Sequence, residues 1–121
     1  MTQSQQLGLS ILIPIYNFDC RQLVSYLHKQ CQEIDFPFEI LCLDDASETS
    51  FQILNQALAK ESKTIHYISL EQNVGRSHIR NLLAEQAQFD YLLFMDCDSK
   101  VVRSDYIKQY IVKLDSSTLL Y

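Results

Sequence analysis

Tyr91-Leu92-Leu93-Phe94-Met95-Asp96-Cys97-Asp98 is the stretch from which the fold of this chain is read. Large apolar residues run without interruption and stop at two carboxylates separated by one residue. An apolar run of this length, bounded by polar residues, predicts a strand buried on both faces of a parallel sheet. Ligands of open α/β sheets bind in the crevice outside the carboxyl ends of the strands. An Asp-x-Asp placed there can hold a divalent cation, because hard cations take carboxylate oxygens and share them with a substrate's phosphates. An ordinary acidic turn would look the same locally, so the decision falls to the rest of the chain.

Working outward, the same unit recurs. Leu9-Ser10-Ile11-Leu12-Ile13-Pro14-Ile15 is apolar and β-branched and predicts a first buried strand, its pairing loosened where Pro14 lacks a donor. Asp19 followed by Gln22 matches a capping box, and Leu23, Leu27, Cys31 and Ile34 recur at helical spacing. Phe38 to Leu43 predicts a second strand, ending at Asp44-Asp45-Ala46-Ser47. A helix from Thr49 to Ala59 would turn Ile53, Leu54, Ala57 and Leu58 inward. Ile65 to Leu70 is less hydrophobic and predicts a third strand nearer an edge. After Asn73-Val74-Gly75-Arg76 comes a helix with Ile79, Leu82, Leu83 and Ala87 inward. Beyond the opening stretch, a helix capped by Ser104 carries Ile107, Tyr110, Ile111 and Leu114 on one face, and Ser117 to Tyr121 reads as another strand beginning. Unbroken alternation predicts an α/β fold with a mainly parallel, Rossmann-like sheet and helices on both faces.

At 121 residues the chain is at most one domain, and its ending on a starting strand reads as part of a larger one. The 47% hydrophobic content suffices for a core. A net charge of -5, with scattered basic residues, argues against nucleic acid or an anionic membrane as partner. Cysteines 20, 31, 42 and 97 lack C-x-x-C spacing, and Cys31 and Cys42 sit in apolar patterns as small core residues, which fits a reducing cytoplasm. The polar start from Met1 to Gln6 is unlike a signal peptide, and no stretch is long enough to span a bilayer. His28, His66 and His78 form no ligand spacing. An incomplete sheet would leave an edge open to self-association.

Except for the last, every predicted strand ends in polar residues: Tyr16-Asn17, Asp44-Asp45, Glu71-Gln72-Asn73 with Gly75, and Asp96-Cys97-Asp98. In a parallel sheet these ends share one edge, so the groups converge. Together they resemble the nucleotide-sugar-binding half of a family-2 glycosyltransferase with the GT-A fold, from about Leu9 to Tyr121. Ile11-Leu12-Ile13-Pro14-Ile15-Tyr16-Asn17 is similar to that family's opening strand with Pro and Tyr-Asn. Asp44-Asp45-Ala46-Ser47 resembles its Asp-Asp-x-Ser, Asn73-Val74-Gly75-Arg76 with Arg80-Asn81 its Asn-x-Gly and Ala-Arg-Asn, and Asp96-Cys97-Asp98 its Asp-x-Asp. Ile79 stands where the family has a small residue.

The resemblance implies a nucleotide-sugar donor, UDP- or GDP-linked, and a saccharide or lipid acceptor. It implies that Pro14, Tyr16 and Asn17 pack against the base and that Asp44 or Asp45 accepts from it. Gly75 would give a tight turn, and Arg80 (preferred over Arg76) would pair with a phosphate, a geometry that suits guanidinium. Asp96 would contact the ribose, and Asp98 would coordinate Mn2+ or Mg2+, which stabilises the charge of the departing diphosphate. The family's general base lies in a second half. Cys97 should face the core. A non-catalytic relative of the same fold, serving as a nucleotide-binding or interaction domain, remains an alternative. A response-regulator receiver would place its acidic pair after the first strand, where this chain has Pro14-Ile15-Tyr16-Asn17. A nucleotidyltransferase would open on a Gly-rich loop, and this chain has only two glycines.

Overall fold

The structure is a computed structural model that describes residues 6–101 and 103–116. Four parallel strands, β1 (Gln6–Ile15), β2 (Phe38–Asp44), β3 (Ile65–Ser69) and β4 (Phe89–Phe94), form one sheet in the order β3-β2-β1-β4. Helices α1 (Arg21–Gln32), α2 (Thr49–Gln56), α3 (Arg76–Gln86) and α4 (Tyr106–Ser116) alternate with them. The side-chain period of two divides each strand between two cores. Leu9, Ile11, Ile13 and Ile15 pack with Leu27 and Cys31 of α1, Leu58 and Ile107 on one face. Leu12, Leu41 and Leu43 pack with Ile79 and Leu83 of α3 on the other. Helices therefore cover both faces, as expected.

Several expectations are corrected. β4 is not buried on both faces: its residues are half-buried or exposed, because β1 is its sole partner among the described residues. Helix α2 stops at Gln56 and tightens into a 3-10 helix over Ala57–Lys60. Of the expected stripe Leu58 is buried and Leu54 half-buried, whereas Ile53 and Ala57 face solvent and Asn55 points inward. The Asp19–Gln22 capping box does not form. Asp19 Oδ1 accepts from Arg21 N at 3.1 Å, while Cys20 N, at the helix start, donates to Oδ1 of buried Asn55 at 3.0 Å. Nor does Ser104 start α4, which begins at Tyr106: Gln30 Oε1 accepts from Ile107 N at 2.9 Å, and Gln30 Nε2 donates to Arg103 O at 2.8 Å. Two buried amides, Asn55 and Gln30, thus serve helix starts that local capping was expected to serve. The strand expected over Ser117 to Tyr121 lies outside the described residues.

Buried Glu39 fastens the opposite end of the sheet, accepting from Ser10 Oγ at 2.7 Å and Gln88 N at 2.8 Å. His66 Nε2 lies 3.6 Å from the same carboxylate, and His28 packs edge-on against Phe38. All four cysteines are free thiols, with Cys31 and Cys42 fully buried. Among the described residues, no helix is long and apolar enough to cross a membrane.

Candidate functional site

The chain runs outward from β1 to β3 and then returns to place β4 on the other side of β1. The strand order reverses there, which is where open α/β sheets leave a crevice. Pro14 widens it. Leu9 N and Ile15 O bond toward the β2 side, whereas Leu12 O accepts from Met95 N of the β4 side. Odd residues of β1 therefore serve β2 and even ones serve β4, so the donor that Pro14 lacks is one owed to β4. Pairing with β2 continues to Ile15↔Asp44, but the last pair with β4 is Leu12↔Phe94. The expected loosening occurs on one side only, the side of the crevice.

Cross-loop hydrogen bonds fix the strand ends. Asn17 and Ala46 hold φ of 48° and 62°, a region uncommon for residues with a Cβ. They are held there by Asn17 N donating to Ser47 Oγ at 2.7 Å and by Asn17 Oδ1 accepting from Glu48 N at 2.7 Å. Asp44 is 0% exposed, with Oδ1 accepting from Ser47 N at 2.8 Å and Oδ2 from the Tyr67 hydroxyl at 2.5 Å. Burial, and then the Asp44 carboxylate, push the Tyr67 hydroxyl well above its ordinary range. Asp45 Oδ1 accepts from Val74 N at 2.7 Å and Oδ2 from Gly75 N at 3.0 Å, pinning the turn into α3. Gly75 makes that turn at φ 91° and ψ 164°, open to glycine almost alone.

A cleft of about 500 Å³ opens at the reversal. Pro14, Tyr16 and Phe18 wall it from the end of β1, and Asp45, Gly75 and Arg76 from the opposite side. Asp96, Cys97 and Asp98 close it from β4. Tyr16 and Phe18 are 55% and 40% exposed, so two aromatic faces stand at its mouth. A second cleft of about 530 Å³ shares Phe18, Cys97 and Asp98 with it and continues along α1 past Leu23 and Tyr26. Burial pushes the Cys97 thiol up, so it stays protonated near neutrality and suits packing rather than nucleophilic attack.

Of the residues expected at the site, Pro14, Tyr16, Asp45, Gly75, Asp96 and Asp98 meet in the first cleft. Asn17, Asp44 and Arg80 are not in its walls. Asn17 and Asp44 are engaged within the loops, and the Arg80 guanidinium lies 4.2 Å above the Phe94 ring. The structure instead brings in Arg76, whose Nη2 lies 3.1 Å from Asp96 Oδ1. Its side chain is 74% exposed and that of Asp96 is 50% exposed. An exposed ion pair is worth about 0–1 kcal/mol. A cation over a ring is worth about 0.5–2 kcal/mol, with the higher figure when desolvated. Arg76 is therefore the more easily redirected. Position carried the missed signal: the first residue of α3 lies at the crevice, and a residue one turn on lies about 6 Å further along the axis.

Among the described residues, no three His, Cys, Asp or Glu side chains are grouped to hold a metal. Asp98 instead offers an exposed carboxylate at the cleft mouth, beside Asp96, which is paired with Arg76. That donor set does not make a closed cage. It fits a divalent cation whose remaining positions are filled by water and substrate phosphates.

Fold and cleft together define an α/β domain with carboxylates at the switch point of its sheet. The chain belongs to glycosyl transferase family 2, whose model matches residues 10–116. It is 31% identical over 105 residues to an uncharacterized glycosyltransferase of Haemophilus influenzae, covering 84% of this chain and 40% of that protein. The crystal structure of S. aureus TarS 1-349 in complex with UDP-GlcNAc matches 91% of this chain and 32% of that one, with 25% identity and a TM-score of 0.67. The mannosyltransferase PcManGT from Pyrobaculum calidifontis, in complex with GDP-Man and Mn2+, matches 86% of this chain and 31% of that one, with 17% identity and a TM-score of 0.69. The fold is that of GT-A glycosyltransferases. This chain spans well under half the length of these relatives.

Proposed function

We propose that these 121 residues form the nucleotide-sugar-binding half of a metal-assisted, inverting glycosyltransferase domain that moves a sugar from a UDP- or GDP-linked donor to a hydroxyl of a saccharide or lipid acceptor. The observation that carries this reading is the convergence of exposed Tyr16, buried Asp45 and the Asp96/Asp98 pair on one cleft at the reversal of the sheet. Tyr16, with the backbone at Pro14, packs against the base. Asp45 accepts from the base edge: each of its oxygens already takes one backbone N–H, and a carboxylate has about four lone-pair sites, so acceptor capacity remains. Asp44 and Asn17 act indirectly, by holding the loops that present these groups.

Asp96 receives the ribose hydroxyls, and Asp98 is the ligand for Mn2+ or Mg2+. When bound, the ion would neutralise the charge that develops on the leaving diphosphate. The 40% share of the Haemophilus relative supports assigning the acceptor pocket and the general base to residues outside this sequence. Among the described residues β3 has one strand partner and carries exposed Ile68, an edge on which two copies can pair; light scattering at increasing concentration checks this.

Thermal unfolding in the presence of nucleotide tests the donor reading. A ligand that binds the folded state raises Tm by mass action. UDP or GDP should raise it with Mn2+ or Mg2+ and do so far less with chelator. No rise with either nucleotide under any condition would reject the reading.

A further inference from the structure

We propose that Arg76, and not Arg80, binds the diphosphate of the donor, and that its ion pair with Asp96 holds it at the cleft mouth until that anion arrives. The inference rests on the donor-binding reading above and assigns one further residue within it. Three observations carry it. Arg76 is in the cleft wall while Arg80 is not, although the two are one helical turn apart on α3. The Arg80 guanidinium is stacked on Phe94, whose ring is packed into the α3 side of the core. The Arg76 guanidinium is mostly in water and, among the described residues, bonded to Asp96 alone, which is itself half in water.

The backbone beneath Arg76 is rigid, because Asp45 binds the amides of Val74 and Gly75 just before it. A mobile cationic head on a fixed base suits a group that must meet an incoming anion. Guanidinium presents paired donors matched to phosphate oxygens, and a doubly charged diphosphate competes well against one solvated carboxylate. The exchange also has a consequence for Asp96. While Arg76 is paired with it, one of its carboxylate oxygens is occupied. When Arg76 turns to the diphosphate, that oxygen is released for the ribose hydroxyls. One side-chain movement thus prepares two contacts of the same ligand.

The test compares UDP with uridine by calorimetry in the presence of Mn2+, on wild type, Arg76→Gln and Arg80→Gln, with GDP and guanosine used instead if guanine is the base bound. Circular dichroism checks that each variant is folded. Arg76→Gln should weaken the diphosphate by about tenfold and leave the nucleoside within about twofold, since one charge-assisted contact is removed. Arg80→Gln should leave the ratio of the two affinities unchanged. A ratio unaltered by Arg76→Gln, or altered by Arg80→Gln alone, overturns the proposal. If wild type binds neither nucleotide nor nucleoside, the donor reading itself has failed and this assignment falls with it. If nucleoside binds normally and only the arginine contrast is absent, the donor reading stands and the assignment alone is lost.

Discussion

Two acidic pairs stand at the ends of the strands that flank β1 on either side, and the molecule uses them in opposite ways. Asp44 and Asp45, after β2, are buried, and every carboxylate oxygen is bonded within the chain. Asp96 and Asp98, after β4, are exposed, and the ion pair from Arg76 to Asp96 is one that water already weakens. A carboxylate surrounded by its own donors serves the fold first, whereas one left open is available to a ligand. In sequence the two pairs look alike; what separates them is the loop geometry that supplies donors to one and withholds them from the other.

Breaking the first pair should therefore cost stability, and breaking the second should not. Asp44→Ala leaves the Ser47 amide and the Tyr67 hydroxyl without their acceptor in a buried site, and should lower the unfolding free energy by about 3 kcal/mol in urea titrations. Gly75→Ala should cost about 1–3 kcal/mol through backbone strain alone, because φ is 91° and a Cβ there meets nothing within 4 Å. A cost near zero would mean that the turn Asp45 pins can relax.

Tyr67→Phe sharpens the comparison through pH. The hydroxyl is raised above its ordinary value of 10.0 in the folded state, first by burial and then by Asp44. Its contribution is therefore full below pH 10 and lost as pH rises beyond it, since the unfolded chain releases that proton first. Wild type should lose stability more steeply above pH 10 than Tyr67→Phe does, while at neutral pH the variant should be weaker by about 1 kcal/mol. Parallel alkaline curves would place the Asp44 contact outside the stability of the fold. The smallest effect belongs to Asp98→Ala, which should shift stability by no more than about 0.5 kcal/mol, because its side chain faces solvent.

The fold was legible because apolar runs and polar strand ends alternate strictly, and the near-continuous burial of β1 follows directly from its run of residues such as Leu9, Ile11, Leu12, Ile13 and Ile15. Less legible were contacts made across the sequence. Asn55 and Gln30 sit in helical patterns as polar interruptions, yet they hold the starts of α1 and α4 from elements far away in the chain. Ile53 looked inward because it is apolar, but the core-facing side of α2 carries Asn55 and leaves Ile53 in solvent. At the site, six expected residues met in one cleft because strand ends in a parallel sheet must converge. Arg80 did not join them, since the nearby Phe94 ring captures it, and a spacing pattern holds no information about that ring.

The most direct measurement of the central contrast is a calorimetric titration of UDP and of GDP, each with Mn2+ and with chelator, into wild type and Asp98→Ala. The account predicts metal-dependent binding of one nucleotide to wild type and its loss in a variant that unfolds at the same urea concentration. Metal-dependent binding that survives Asp98→Ala unchanged, or a folded wild type that binds neither nucleotide, would contradict it.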